Sequence, residues 1–202
     1  MNVAAAIIAG GRARRLGGVA KPFLTIGGRS VAELQLAVLR PLFARVLAVV
    51  AEPGDVAAWQ ALGVDAVTDR LPGAGPLAGV AAALAAAEGD AVVCVAGDMP
   101  FLSPPLLQAL RDQLPGAQAL VPRRKGRVEP LCARYGRELL GEAEARLADG
   151  RLALHALLQE SAGTVWIDDG PLAKLGAGEE AFFNLNEPED LARAEALGRS
   201  RG

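Results

Sequence analysis

The sequence predicts an α/β fold in three layers, with a mostly parallel central sheet covered on both faces by helices. Three observations lead there. Short apolar runs of strand length recur along the chain, and a run that is apolar at every position suits a strand buried on both faces. Segments with helical spacing separate these runs, as expected of parallel strands joined by crossover helices. Hydrophobic residues make up 51% of the 202 residues, enough for a sizeable core, yet aromatics are only 4%, so small side chains let helices sit close to the sheet.

The first run, Val3–Ala9, ends in Gly10-Gly11 and reads as a buried strand entering a loop. Ser30 is placed to cap a helix over 31–43, with Glu33 three residues on, as in a capping box. Arg45–Ala51 is a second strand, Gly54–Leu62 a short helix and Asp65–Thr68 a third strand. Pro76 stands at the start of an alanine-rich helix over Leu77–Glu88. Asp90–Ala96 is a fourth strand and runs into Gly97-Asp98. Pro104–Leu114 is helical, Ala117–Val121 extended, 122–128 a basic loop and Leu131–Tyr135 a further strand. Arg137–Ala148 and Leu152–Glu160 have helical spacing, Thr164–Ile167 is a last short strand, and Glu187–Leu197 a terminal helix. With no repeat, tail or linker, residues 1–202 read as a single domain.

A net charge of −2 does not point to nucleic acid, so anion recognition falls to local arginine-rich stretches at 12–15 and 123–127. Cys94 and Cys132 lack CxxC spacing and read as buried reduced thiols. No apolar run is long enough to span a membrane, and no basic leader precedes the first strand, which predicts a soluble cytoplasmic protein. The lone His155, in the apolar pattern ALHALL, reads as structural.

Four segments carry chemistry. Residues 8–21, IAGGRARRLGGVAK, are a strand, a glycine-rich loop with three arginines, and a lysine. Glycines at 10 and 11 let backbone amides approach a phosphate chain, and Arg15 and Lys21 add positive charge; a plain basic surface loop has the same composition. The segment is neither GxxxxGK[ST] nor GxGxxG. Asp98 stands beyond the carboxyl end of a strand, where α/β sheets bind ligands, and suits Mg2+ beside a triphosphate or a turn or cap. Asp69–Gly79, DRLPGAGPLAG, either folds over a base or ribose or simply connects strand to helix. In Asn184–Leu191, NLNEPEDL, Asn184 and Asn186 face one side if extended, and Asn186 also fits a helix cap.

Together these motifs resemble the MobA family, the molybdenum cofactor guanylyltransferases. An LAGG-type loop, a lysine, a GPLAG segment, a DxPF segment and an NxNxPxDL segment occur there in this order. Here they read IAGG, Lys21, Gly75–Gly79, Asp98–Phe101 and Asn184–Leu191, with Glu129–Ala133 similar to the family's E-P-L-x-A stretch. The resemblance implies a Rossmann-like nucleotidyltransferase fold that transfers GMP from GTP to Mo-molybdopterin with Mg2+ and releases pyrophosphate. It further implies backbone contacts to GTP from Ile8, Ala9 and Gly10, a phosphate contact from Lys21, Asp69 in the guanosine site and Asp98 at nucleotide and metal. Gly11 and Arg15, read above as phosphate-binding, join them, with Gly75, Pro76, Leu77, Asn184 and Asn186 as further nucleotide- or substrate-binding candidates. Transient contact with a molybdenum-insertion protein or molybdoenzyme chaperone is implied too. The sequence departs from the pattern at Ala20, where the family has Asp, and in VVAEPGD, which lacks an Asn after the second strand. Alternatives are a CTP-dependent molybdopterin cytidylyltransferase, a sugar-phosphate nucleotidyltransferase, and a non-catalytic GTP-binding module.

Overall fold

A computed structural model describes residues 1–10, 15, 16, 19–69, 71 and 73–199, with Arg15 and Leu16 described in backbone alone. Eight strands form the main sheet: β1 (Val3–Ile8), β2 (Val46–Val50), β3 (Asp65–Thr68), β4 (Ala91–Ala96), β5 (Ala119–Arg124), β6 (Arg127–Val128), β7 (Cys132–Gly136) and β8 (Thr164–Ile167). Their order is β6-β5-β7-β4-β1-β2-β3, with β8 paired parallel to β5. Strands β4, β1, β2 and β3 are mutually parallel, while β7 runs antiparallel between β4 and β5. The sheet is thus largely parallel with an antiparallel insertion. The predicted basic loop is a tight hairpin, β5–β6, whose central residues Lys125 and Gly126 have φ of 47° and 77°. A two-residue turn with positive φ at both positions joins antiparallel strands only.

The helices are α1 (Val31–Leu39), α2 (Val56–Ala61), α3 (Pro76–Ala86), α4 (Pro104–Asp112), α5 (Leu139–Ala148), α6 (Leu154–Glu160), α7 (Asp169–Lys174) and α8 (Pro188–Arg199). The Ser30 hydroxyl accepts from the Glu33 amide and the Glu33 carboxylate accepts from the Ser30 amide, so the expected capping box starts α1. Helix α1 stops short of residue 43, and a 3-10 turn over Pro53–Asp55 precedes α2. Helix α7 is not among the elements expected from the sequence. No described helix is long and apolar enough to cross a membrane.

Alternation along the buried strands builds the layers. Val3, Ala5 and Ile7 of β1 face a core shared with Leu36 and Leu39 of α1, Trp59 of α2 and Leu107 and Leu110 of α4. Ala4, Ala6 and Ile8 face the opposite core, with Leu77, Val80 and Leu84 of α3, Leu139 of α5 and Leu157 of α6. Each such fully buried leucine contributes about 1.5–3 kcal/mol of hydrophobic stabilisation. A third cluster joins Leu24, Ile26 and Val31 to Phe101, Phe183, Leu185 and Ala194. It fastens the segment leading to α8 against the residues that follow Lys21 and Asp98.

Candidate active site

The chain runs from β1 outward through β2 and β3, then returns to the other flank of β1 as β4. Such a reversal leaves a crevice beyond the carboxyl ends of the two strands at the switch point, here β1 and β4. A cleft of about 190 Å³ lies there, lined by Ile8, Ala9, Gly10, Lys21, Gly97, Asp98, Leu131 and Asn186 among others. Gly97 permits the close approach. A Cβ at this position would meet Pro22 Cγ at 3.0 Å, Ala9 Cα at 3.2 Å and Ile8 O at 3.3 Å.

Lys21 opens a 3-10 turn, Lys21–Phe23, and its side chain is 6% exposed. Its Nζ lies 3.1 Å from Asp98 Oδ2 and donates to Asn186 Oδ1 at 3.0 Å. Asp98 retains 21% side-chain exposure toward the cleft. A buried ammonium is stable only when paired and hydrogen-bonded, and charged hydrogen bonds contribute about 1.5–3 kcal/mol each. Asn186 is delivered by the carboxy-terminal segment. The Leu185 amide donates to the Asp98 carbonyl at 2.9 Å, and Leu185 is buried in the third cluster. The amides of Asn186 and Glu187 donate to Asp190 Oδ2 at 2.8 and 2.9 Å. Asp190 therefore caps the start of α8, the role expected of Asn186, and leaves the Asn186 carboxamide oxygen to Lys21.

The other expected site residues divide. The Ala9 amide donates to the Val49 carbonyl at 2.8 Å and the Ile8 carbonyl accepts from the Gly97 amide at 2.9 Å, so these groups are spent in the sheet. Gly10 lines the cleft. Gly11 lies outside the described residues, as does the side chain of Arg15, so the expected approach of loop amides to a phosphate chain falls mostly outside the described residues. Asn184 is half-buried and donates to the Phe182 carbonyl at 2.9 Å; it does not line the cleft as Asn186 does.

Asp69 is buried at the carboxyl end of β3, with Oδ1 accepting from the Leu71 amide at 2.8 Å. Burial pushes its carboxyl up from the ordinary aspartate value, partly offset by that amide. It lines a separate, mainly apolar cleft of about 240 Å³ with Ala78, Ala82 and Leu147. Gly75 turns the chain into α3 with φ of 78°, which only glycine adopts easily, and Pro76 is the first helical residue. The Leu77 side chain is fully buried in the core, so only its backbone is available to a ligand. Gly79 seats α3 on β1: a Cβ there would lie 2.8 Å from Ile8 Cγ2.

The basic hairpin is largely neutralised by its surroundings. Arg123 pairs with Asp168 at 2.8 Å, Lys125 with Glu179 at 2.7 Å and Arg127 with Glu129 at 3.9 Å, while Arg124 stacks over Phe182. His155 is exposed on α6 and does not line the cleft. Gly97 and Leu131 do line it, although neither is given a site role by the sequence motifs. The only signal was their place in the GDMP and EPL stretches.

Among the described residues, no three His, Cys, Asp or Glu side chains converge as metal ligands. Mg2+ does not need such a group. It takes one or two protein carboxylates and completes its shell with phosphate oxygens and water. Asp98, partly exposed at the cleft beside Lys21, fits that donor chemistry.

A family model described as the MobA-like NTP transferase domain matches residues 5–165. A molybdenum cofactor guanylyltransferase from Cereibacter sphaeroides is 37% identical over 203 residues, covering 98% of this chain and 98% of its own. The crystal structure of molybdopterin-guanine dinucleotide biosynthesis protein A from Archaeoglobus fulgidus matches with a TM-score of 0.84 at 28% identity, covering 98% of this chain and 99% of its own. The 2-C-methyl-D-erythritol 4-phosphate cytidylyltransferase from Thermus thermophilus matches with a TM-score of 0.67 at 28% identity, covering 98% of this chain and all of its own.

Proposed function

The chain belongs to the MobA-like NTP transferase family, a family of nucleotidyltransferases, and from that premise we propose that it is a molybdenum cofactor guanylyltransferase. It transfers GMP from GTP to Mo-molybdopterin, forming molybdopterin guanine dinucleotide and releasing pyrophosphate. The observation that carries this reading is the convergence of Lys21, Asp98 and Asn186 at the β1/β4 switch point.

A terminal phosphate oxygen of the acceptor attacks the α-phosphorus of GTP. The bond from that phosphorus to the bridging oxygen breaks, and pyrophosphate leaves with the electron pair. No covalent enzyme intermediate is required, so the protein's work is alignment and charge stabilisation. Lys21 donates to the triphosphate while Asn186 keeps its ammonium aimed at the cleft. Asp98 is the residue to hold Mg2+, which when bound offsets charge on the phosphate oxygens. Gly10, Gly11 and Arg15 serve the phosphates.

In this reading the phosphates sit beyond β1 and β4 and the guanosine extends toward β3; the sheet order, which sets Asp69, Gly75, Pro76 and the Leu77 backbone on that side, supports it. We read residues 1–202 as one domain, a reading supported by the bond from Lys21 to Asn186, which lies beyond the matched 5–165. We read the enzyme as cytoplasmic, meeting a molybdenum-insertion protein or molybdoenzyme chaperone only transiently.

The test is pyrophosphate release by the purified chain with Mg2+, a molybdopterin acceptor and each of GTP, CTP, UTP and ATP. Release with GTP alone is expected. The 28% identity to a cytidylyltransferase favours CTP as the second reading, and release with CTP instead would establish it. Nucleotide binding without release under all four conditions would leave a non-catalytic module.

A further inference from the structure

Among the buried polar side chains that the chemistry above leaves unused, one lies beside the site. Gln35, in the second turn of α1, is fully buried. Its Nε2 donates to the Ala96 carbonyl at 2.7 Å and to the Met99 carbonyl at 3.0 Å. These are the first and last residues of the four-residue turn that presents Asp98, closed by the Met99 amide donating to the Ala96 carbonyl at 3.3 Å. Both hydrogens of the carboxamide are therefore engaged, while Oε1 has no partner among the described residues. Flipping the amide would set Oε1 against both carbonyls, so hydrogen-bond chemistry fixes which end faces the turn.

We propose that Gln35 is a positioning residue for the transfer reaction, clamping both ends of the Ala96–Met99 turn and thereby setting where the Asp98 carboxylate stands. A buried amide with an orphaned oxygen is unfavourable unless its donors are well used. Here they reach two carbonyls flanking the site, one of which, that of Ala96, also takes the Met99 amide. The helix that carries Gln35 is itself tied to the Lys21 segment, because the Val31 amide donates to the Leu24 carbonyl at 3.0 Å and the Leu24 amide to the Lys21 carbonyl at 3.2 Å. Gln35 thus links the turn bearing the carboxylate to the segment bearing the ammonium. From the other side, the Leu185 amide on the Asp98 carbonyl steadies the same turn.

The proposal rests on the reading of Asp98 as a nucleotidyl-transfer residue, and two independent readouts separate the two claims. Gln35→Met keeps the volume and removes both donors; Gln35→Asn keeps the amide but shortens its reach and acts in the same direction. Leu39→Ala, in the core face of the same helix, is the stability comparator. Hydrogen exchange without substrate is expected to show the Met99 amide exchanging about tenfold faster in Gln35→Met, since its turn bond is no longer braced. In pyrophosphate release, kcat is expected to fall about 10–100-fold with a raised Mg2+ requirement and a nearly constant KM for GTP, the signature of a misplaced group rather than lost binding. Leu39→Ala is expected to melt earlier with kcat unchanged. Parental exchange at Met99, or parental kcat and Mg2+ requirement in Gln35→Met, would overturn the clamp. Should the parent itself release no pyrophosphate with any nucleotide, the functional reading falls, and the exchange result alone still decides whether Gln35 holds the turn.

Discussion

Lys21 and Asp98 are 77 positions apart in the chain, yet the lysine ammonium lies 3.1 Å from the aspartate carboxylate. The β1/β4 adjacency and the close approach at Gly97 bring them together, and Asn186 completes the contact from the far end of the chain.

Asp98→Ala is expected to lower kcat for pyrophosphate release by about 100–1000-fold, the usual cost of losing one strong charge-stabilising group. Circular dichroism should match the parent, because Asp98 sits at a partly exposed turn, while the melting temperature should fall because the buried Lys21 ammonium keeps, among the described residues, only the neutral Asn186 as a partner. Parental turnover in this variant would refute the metal assignment.

Lys21→Met keeps the apolar stem and removes the charge. If the ammonium serves the triphosphate in both the bound and the transition state, KM for GTP should rise and kcat fall together. Steady-state kinetics over a GTP series checks this, and a change confined to stability would leave Lys21 a structural residue.

Gly97→Ala is expected to destabilise the protein by about 1–3 kcal/mol, the range for overpacking. The added methyl would press on the Pro22 ring and on the backbone of Ile8 and Ala9 at the carboxyl end of β1, which has little room to yield. Denaturant unfolding measures the loss. An unchanged midpoint would mean that β1 and β4 can separate at the cleft.

Asp69→Asn is expected to stabilise the protein at neutral pH. Burial raises the folded-state pKa of Asp69, so the folded protein holds its proton more tightly than the unfolded chain does. Stability is then lost as pH rises from the unfolded to the folded pKa, and the deficit persists above. Asparagine keeps an acceptor for the Leu71 amide without the charge. Melting temperatures of variant and parent should differ most at neutral pH and converge as pH falls toward the ordinary aspartate range. A constant difference across pH would remove burial of the charge as its cause. A rise in KM for GTP in the same variant would support the guanosine role.

The strand framework was legible because fully buried strands must be apolar at every position, as VAAAII and AVVCVA are. Lys21 and Asp98 were legible as members of ordered motifs. What escaped was tertiary. Helix α7 contains Gly170-Pro171 in its first turn, which local propensity reads as a break although an early proline is tolerated there. The arginine-rich run 123–127 read equally as a candidate anion site or a solvated surface loop; Asp168 and Glu179, distant in sequence, pair with two of its four cations. Asn184 and Asn186 looked equivalent by spacing; only the placement of Leu185 and Asp190 shows that one reaches Lys21 and the other turns to the Phe182 carbonyl. Gln35 carries no motif, and its value comes entirely from two carbonyls presented by another element.

The apolar cluster that binds Leu24 and Phe101 to Phe183 and Leu185 has a practical corollary for protein engineering. A chimaera joined at mid-chain between two relatives would inherit the lysine from one parent and the asparagine from the other, along with mismatched halves of the packing that brings them together. Recombination libraries should therefore exchange the segment from Lys21 to Val31 and the carboxy-terminal helix as one unit, leaving the crossover points to the antiparallel edge of the sheet.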